Sequence, residues 1–281
     1  MTSTIASPVR LRPLTLGESA GNPEHVITDA AELGTVLAVW AHPDDETLLA
    51  GGLLAAARDA ERRVVCVTAT LGERGTDDPL AWPPERLGRV RSHELKASLA
   101  ALGVIEHHLL GVTDGTCADQ PHDMLVGRLA RLMESVQPDT VVTFGPDGLT
   151  GHEDHQTVST WTTAARAAAA PGARLLYVTT TEEFVERWRT ARDAFDVFLA
   201  EGLPLRTPSS ALAVRLNLRP EELDRKMVAL RAQASQMSGL IAAVGEDRMR
   251  EWWAVETFVS ADAVADRTGG TPEWGTWRVA A

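Results

Sequence analysis

Five short strand-like runs, at 35–41, 64–70, 107–111, 139–144 and 174–179, alternate with longer segments of helical spacing at 46–60, 84–102, 122–136 and 153–170. The second of those segments carries Leu87, Val90, Leu95, Leu99 and Leu102 and stops at Gly103; the fourth runs out in alanines closed by Pro171-Gly172. Such a succession predicts an α/β fold, three layers deep, with a mostly parallel sheet covered by helices on both faces. Ligands in such sheets bind beyond the carboxyl ends of the strands where the strand order reverses, and an order 3-2-1-4-5 makes the first and fourth strands neighbours at that reversal.

From about residue 181 the pattern loosens. Residues 181–200 read as a helix rich in Trp, Phe and Glu, Leu203 to Ser210 as a loop with two prolines, and 219–240 as a helix with Pro220 in its first turn. Glu251 to Val259 ends in a β-like run. The segment 181–215 is placed to shape a pocket, though none of its residues has a role that can be named. Without repeats or a low-complexity linker, 1–281 is expected to form one domain, with its core at about 35–260 and polar ends at 1–33 and 261–281.

The first and fourth runs are also where the polar chemistry gathers. Val36-Leu37-Ala38-Val39-Trp40 is followed by Ala41-His42-Pro43-Asp44-Asp45-Glu46, and Thr140-Val141-Val142-Thr143-Phe144 leads to His152-Glu153-Asp154-His155. Carboxylates and imidazoles crowded at a strand end desolvate one another, a cost that a cation held between them offsets. A catalytic zinc takes three protein ligands and keeps one position open. His42 and Asp45, at a strand-to-helix turn, and His155 make such a set, and iron(II) suits it as well. Water at the open position would have its pKa lowered toward about 7. Asp44 is then the natural general base, His152 a hydrogen-bond donor or proton carrier, and Asp154 an orienting carboxylate for an imidazole. Glu46 falls in a first helical turn, where negative charge is favoured in any case.

Bulk properties exclude several classes. A formal charge of −12 argues against a nucleic-acid partner, and no run approaches the roughly 20 apolar residues of a membrane span. The N-terminus lacks the pattern of a signal peptide, so a cytoplasmic location is expected. Cys66 and Cys117 are too few for a disulfide framework or a thiolate metal cage, and Cys66 reads as a small buried hydrophobe.

The motifs resemble those of the PIG-L/LmbE-like zinc-dependent de-N-acetylases. The family's A-H-P-D-D-E is matched in full at 41–46. Its G-H-P-D-H appears as Gly151-His152-Glu153-Asp154-His155, with Glu153 in place of proline. Thr70-Leu71-Gly72-Glu73-Arg74-Gly75, Arg91-Ser92-His93-Glu94-Leu95, Asp114-Gly115, Lys226 through Ser235-Gln236, and Glu256-Thr257-Phe258 resemble later family features in order, so the likeness covers about 35–260. It implies a Rossmann-like, LmbE-like fold, a zinc held by His42, Asp45 and His155, Asp44 as base, His152 as electrophilic partner and Asp154 tuning His152. It also implies contacts from Arg91, Asp114 and Glu73 to a small N-acyl substrate containing an amino sugar such as N-acetylglucosamine. Thr150 stands where several members have an aromatic residue, and Gln233 where many have histidine. Both are expected near the substrate entrance.

Blander readings hold for other residues. His93, His107, His108 and His122 are expected to be structural or exposed, and Gly51-Gly52 to allow close helix packing. Trp252, Trp253, Trp274 and Trp277 are expected in packing rather than as a sugar platform. The expected activity is hydrolytic removal of an acetyl group. The alternatives are an amidase for a non-sugar or larger N-acyl group, and a metal-dependent binding protein without catalysis. The sequence leaves the oligomeric state open, a homo-oligomer included.

Overall fold

The computed structural model describes residues 26–193 and 206–268. The parts of the predicted helix and loop at 194–205, most of both polar ends, Trp274 and Trp277 lie outside them.

Strands β1 (Val36–Trp40), β2 (Val64–Thr68), β3 (Glu106–Leu109), β4 (Thr140–Phe144) and β5 (Arg174–Val178) are all parallel. They are joined by helices α1 (Asp45–Asp59), α2 (Pro84–Ala101), α3 (His122–Val136) and α4 (Glu153–Ala169). After β5 come β6 (Thr180–Thr181), α5 (Glu182–Asp193), β7 (Arg206–Thr207), β8 (Val214–Asn217), α6 (Pro220–Ala232), α7 (Ala234–Val244), α8 (Glu246–Trp253), β9 (Val255–Ser260) and α9 (Ala261–Thr268). The main sheet has the order β3-β2-β1-β4-β5-β9-β8, so β1 and β4 meet at the reversal as expected. β9 and β8 extend it antiparallel. Every residue of β1, β2 and β4 is buried, because helices cover both faces, and their sequences are therefore continuous apolar runs. At the open end of β1, Trp40 packs edge-on against Phe144 of β4 with ring centroids 5.1 Å apart.

The later half departs from the sequence expectation. The helix expected over 219–240 breaks at Gln233, whose backbone (φ −93°, ψ 51°) leaves the helical region while its side chain is drawn inward to Glu46 Oε1 at 2.7 Å. β8 was not expected: it is four residues long and only alternately buried, too weak a pattern to stand out. Within the stretch read as a polar N-terminal extension, Leu33 is fully buried and Ile27 bridges to Val214. α9 begins where the C-terminal tail was expected.

A second apolar cluster, Met227, Leu230, Met237 and Met249, ties α6, α7 and α8 together, with Leu48, Trp252 and Trp253 packed against it. Beneath it, Lys226 Nζ meets Glu256 Oε1 at 2.6 Å, both side chains buried, and Glu256 also accepts the backbone N–H groups of Gly52 and Leu53, each at 2.7 Å. Gly52 is in close packing, as expected, since a Cβ there would overlap Leu218. No helix among the described residues is long and apolar enough to cross a membrane.

Candidate metal centre

Beyond Trp40 the chain turns sharply into α1, and Asp44 takes φ 112°, ψ −30°, a conformation rare for any residue but glycine. Four contacts hold it there. Its N–H donates to Glu46 Oε2 (3.0 Å), its carbonyl accepts from the N–H groups of Thr47 (3.0 Å) and Leu48 (2.8 Å), and its carboxylate accepts from Arg91 (3.0 Å). The turn folds Asp45 back on His42, whose N–H donates to Asp45 Oδ2 at 2.8 Å. His155, in the first turn of α4, arrives from the neighbouring strand β4.

Three donor atoms converge at this seam. His42 Nδ1 and His155 Nε2 are 3.1 Å apart, and the Asp45 carboxylate sets Oδ2 3.5 Å from the first and Oδ1 3.5 Å from the second. The other nitrogens settle the tautomers. His155 Nδ1 lies 2.9 Å from the Gly148 carbonyl, so it carries the proton. His42 Nε2 lies 3.1 Å from Asp114 Oδ1 and 3.3 Å from Asp154 Oδ2, so it too is the protonated nitrogen. Two imidazole lone pairs and a carboxylate therefore face one point. They repel one another unless a cation lies between them. A tetrahedral ion with bonds of about 2.0–2.1 Å spaces its ligand atoms about 3.3 Å apart, and the observed 3.1–3.5 Å brackets that value. The donor set fits zinc or iron(II).

The surrounding electrostatics favour a neutral His155 and an ionised Asp45, whereas the carboxylates around His42 favour its protonated form, a positive charge that a metal ion would replace. Burial pushes His155 down to about 4, keeping it a neutral ligand. Burial opposes ionisation of Asp45, yet His155 and His42 hold it down to about 2. Burial also disfavours the charged form of His42, but the carboxylates of Asp114, Asp154 and Asp45 outweigh it and raise His42 well above its usual value. Burial lifts the Asp44 carboxyl to about 7, against the pull of Arg91.

Asp154 lies against an imidazole, as expected, but the ring its carboxylate bonds is that of His42, while on His152 its charge acts without a hydrogen bond. The carboxylate also accepts from the N–H groups of Gly115 (2.7 Å) and Cys117 (3.0 Å); its backbone N–H donates to His152 Nδ1 at 3.1 Å. The start of α4 explains this: His152 is the N-cap and takes up that N–H. With Nδ1 accepting, His152 carries its proton on Nε2, and burial lowers its pKa so that it stays a neutral donor. Its ring centroid is 4.8 Å from that of His42 and 5.0 Å from that of His155.

The three residues expected to contact substrate also make bonds within the protein, while Arg91 Nε and Glu73 Oε2 are buried without a hydrogen-bond partner. Arg91, only 4% exposed, donates to the carbonyls of Gly72 (2.7 Å) and Pro43 and to Asp44. Gly72 (φ 60°) leaves the space it fills, since a Cβ there would lie 2.1 Å from the guanidinium. Asp114 spends its second oxygen on the N–H of Arg74 (2.9 Å), and Glu73 accepts the N–H of Asp114 (3.0 Å). Burial explains these bonds: arginine and aspartate side chains removed from water need fixed partners. Thr150 sits beside His155 Nδ1 at 3.4 Å and lines the adjoining cavity, whereas Gln233 is buried below it, away from any entrance. Sequence reasoning missed Glu46 as a structural centre. It is fully buried, raised to about 6 chiefly by that burial, and bonded to Thr47 and Gln233. The spacing gave no sign of this, because the partner lies on a distant helix.

Fold and site together define an α/β protein with a metal-type donor set at its topological switch point. Residues 37–166 match the PIG-L family model, described as GlcNAc-PI de-N-acetylase. Over 230 residues, 72% of this chain and 85% of the relative, the sequence is 31% identical to the 1D-myo-inositol 2-acetamido-2-deoxy-alpha-D-glucopyranoside deacetylase of Saccharomonospora viridis. The chain belongs to the PIG-L family. Among solved structures, N,N'-diacetylchitobiose deacetylase from Pyrococcus horikoshii superposes with a TM-score of 0.61 at 19% identity over 92% of each chain. The 4-carboxy-2-hydroxymuconate hydratase from Pseudomonas putida KT2440 does so with 0.55 at 18% identity, over 88% of this chain and 92% of its own. One fold thus carries both a hydratase and a deacetylase, and the reaction has to be argued from the site.

Proposed function

We propose that this protein is a metal-dependent de-N-acetylase acting on an N-acetylated amino sugar or a related N-acyl amine. The observation that carries the reading is the pair of imidazole nitrogens 3.1 Å apart, with the carboxylate of Asp45 beside both. His42 Nδ1, Asp45 and His155 Nε2 would hold a zinc or iron(II) ion. When bound, such an ion polarises water and an amide carbonyl. Asp44 accepts the proton of the attacking water on a carboxylate that Arg91 keeps in place, and returns it to the departing amine. His152 donates from Nε2 to the carbonyl oxygen as negative charge develops on it. Asp114 and Asp154 hold the His42 ring by its Nε2–H, and act by positioning. The products are acetate and a free amine.

The test pairs metal analysis of the purified protein with acetate release from N-acetylglucosamine and its glycosides, with and without chelator. One ion per chain and chelator-sensitive release support the reading. Bound metal with no release from any N-acyl amine would favour a binding role, and absence of metal after reconstitution would remove the mechanism.

A further inference from the structure

A cavity of about 650 Å³ opens beside the donor set, its lining shared between Asp45 and His155 and, from other elements, Leu48, Phe184, Trp188 and Trp252. Cavities of about 300–1,000 Å³ ordinarily take drug-sized ligands, so an acetyl group alone would leave most of this one unfilled. The lining is mainly apolar and aromatic, with Trp188 set edge-on to Trp252 at 5.5 Å. Most of its charged members are already partnered, Arg215 apart: Arg187 donates to Glu251 (3.1 Å), Glu183 accepts from Ser209 (3.1 Å) and Glu256 holds Lys226 (2.6 Å). Such walls reward apolar surface and offer little to the hydroxyls of a second sugar.

We propose that the amide substrate carries a bulky apolar group, aryl or alkyl, which this cavity seats while the amide lies at Asp45 and His155. The proposal rests on the amide-hydrolase reading above. The group belongs either to the acyl side or to an aglycone on the amine side, and the same chemistry recognises both. α5 and α8 supply the selecting side chains Phe184, Trp188 and Trp252.

Two measurements test it. The first compares kcat/KM of the metal-loaded protein for N-acetylglucosamine, its octyl and phenyl glycosides, and N-octanoylglucosamine. At least one apolar arm is expected to exceed N-acetylglucosamine by about tenfold or more, and the arm that does so identifies the side. Phe184→Asp should reduce that preference by about tenfold, and Phe184→Leu should retain it. The second follows tryptophan fluorescence of metal-free protein titrated with octyl glucoside, which has no amide to cleave, below its micelle concentration; a saturable change is expected. Deacetylation of N-acetylglucosamine with no apolar preference and no saturable binding would overturn the cavity assignment and leave the deacetylase standing. Saturable binding with no hydrolysis of any arm would support the apolar site and remove the hydrolase reading.

Discussion

At the scale of single residues, the strongest statement concerns Asp44. It sits next to a candidate ligand in the chain, one of its carboxylate oxygens accepts from Arg91, and its strained backbone is fixed by four contacts. Asp44→Asn keeps the shape and removes the base, so kcat is expected to fall by about 10²–10⁴-fold while metal content stays at the wild-type level; unchanged kcat would end the assignment. Asp154 acts one bond further out. Asp154→Asn weakens its hold on His42 and is expected to lower metal affinity by about 10–100-fold, measured by competition with a chromogenic chelator. Were Asp154 tuning only His152, affinity would be unchanged and kcat alone would suffer. The convergence of His42, Asp45 and His155 was legible in the sequence because a histidine and acids at a strand end have few other uses. The partner of Asp154 was not, because it depends on the loop after β3 bringing Asp114 alongside His42 and supplying the Gly115 and Cys117 amides.

Among the elements, β1, β2 and β4 could be read because buried parallel strands are uninterrupted apolar runs, and the partly exposed β3 (Glu106–Leu109) because it falls between two helical segments; β1 to β5 with their helices lie close to where the sequence pattern predicts. The antiparallel addition could not: β8 is short, and the break between α6 and α7 is decided by Gln233 turning to Glu46. The weaker late motifs find their meaning in pairs. Glu94 on α2 accepts from both the N–H (2.8 Å) and the hydroxyl (2.6 Å) of Ser235 on α7, and Lys226 on α6 pairs with Glu256 on β9. The first pair ties α2 to α7, and the second ties α6 to β9, the strand next to the sheet edge. Lys226→Met would strand a buried carboxylate, and such a broken pair costs about 3–5 kcal/mol. Chemical denaturation should show that loss, and Lys226→Met with Glu256→Gln should recover part of it, since the uncharged amide oxygen still accepts one of the two helix N–H groups. A stability loss equal in the single and double variants would mean that packing of the lysine stem, not the charge, matters.

For the molecule as a whole, the candidate ion joins two distant parts of the chain. His42 and Asp45 close the turn after β1, while His155 opens α4, 113 residues further along than His42. An unfolded chain cannot hold these donors together, so an ion bound here binds the native state alone and stabilises it by mass action. With free metal at 100 times its dissociation constant the gain is about 2.7 kcal/mol. It should appear in urea denaturation as a higher midpoint with an unchanged slope, because the surface exposed on unfolding is the same. Asp45→Ala removes one ligand and is expected to abolish the metal-dependent shift. Asp44→Asn, which leaves all three ligands in place, is expected to keep it. If Asp45→Ala retained the full shift, the stabilising ion would be bound elsewhere, and the β1–β4 seam would lose its claim to be the metal centre even if the enzyme proved active.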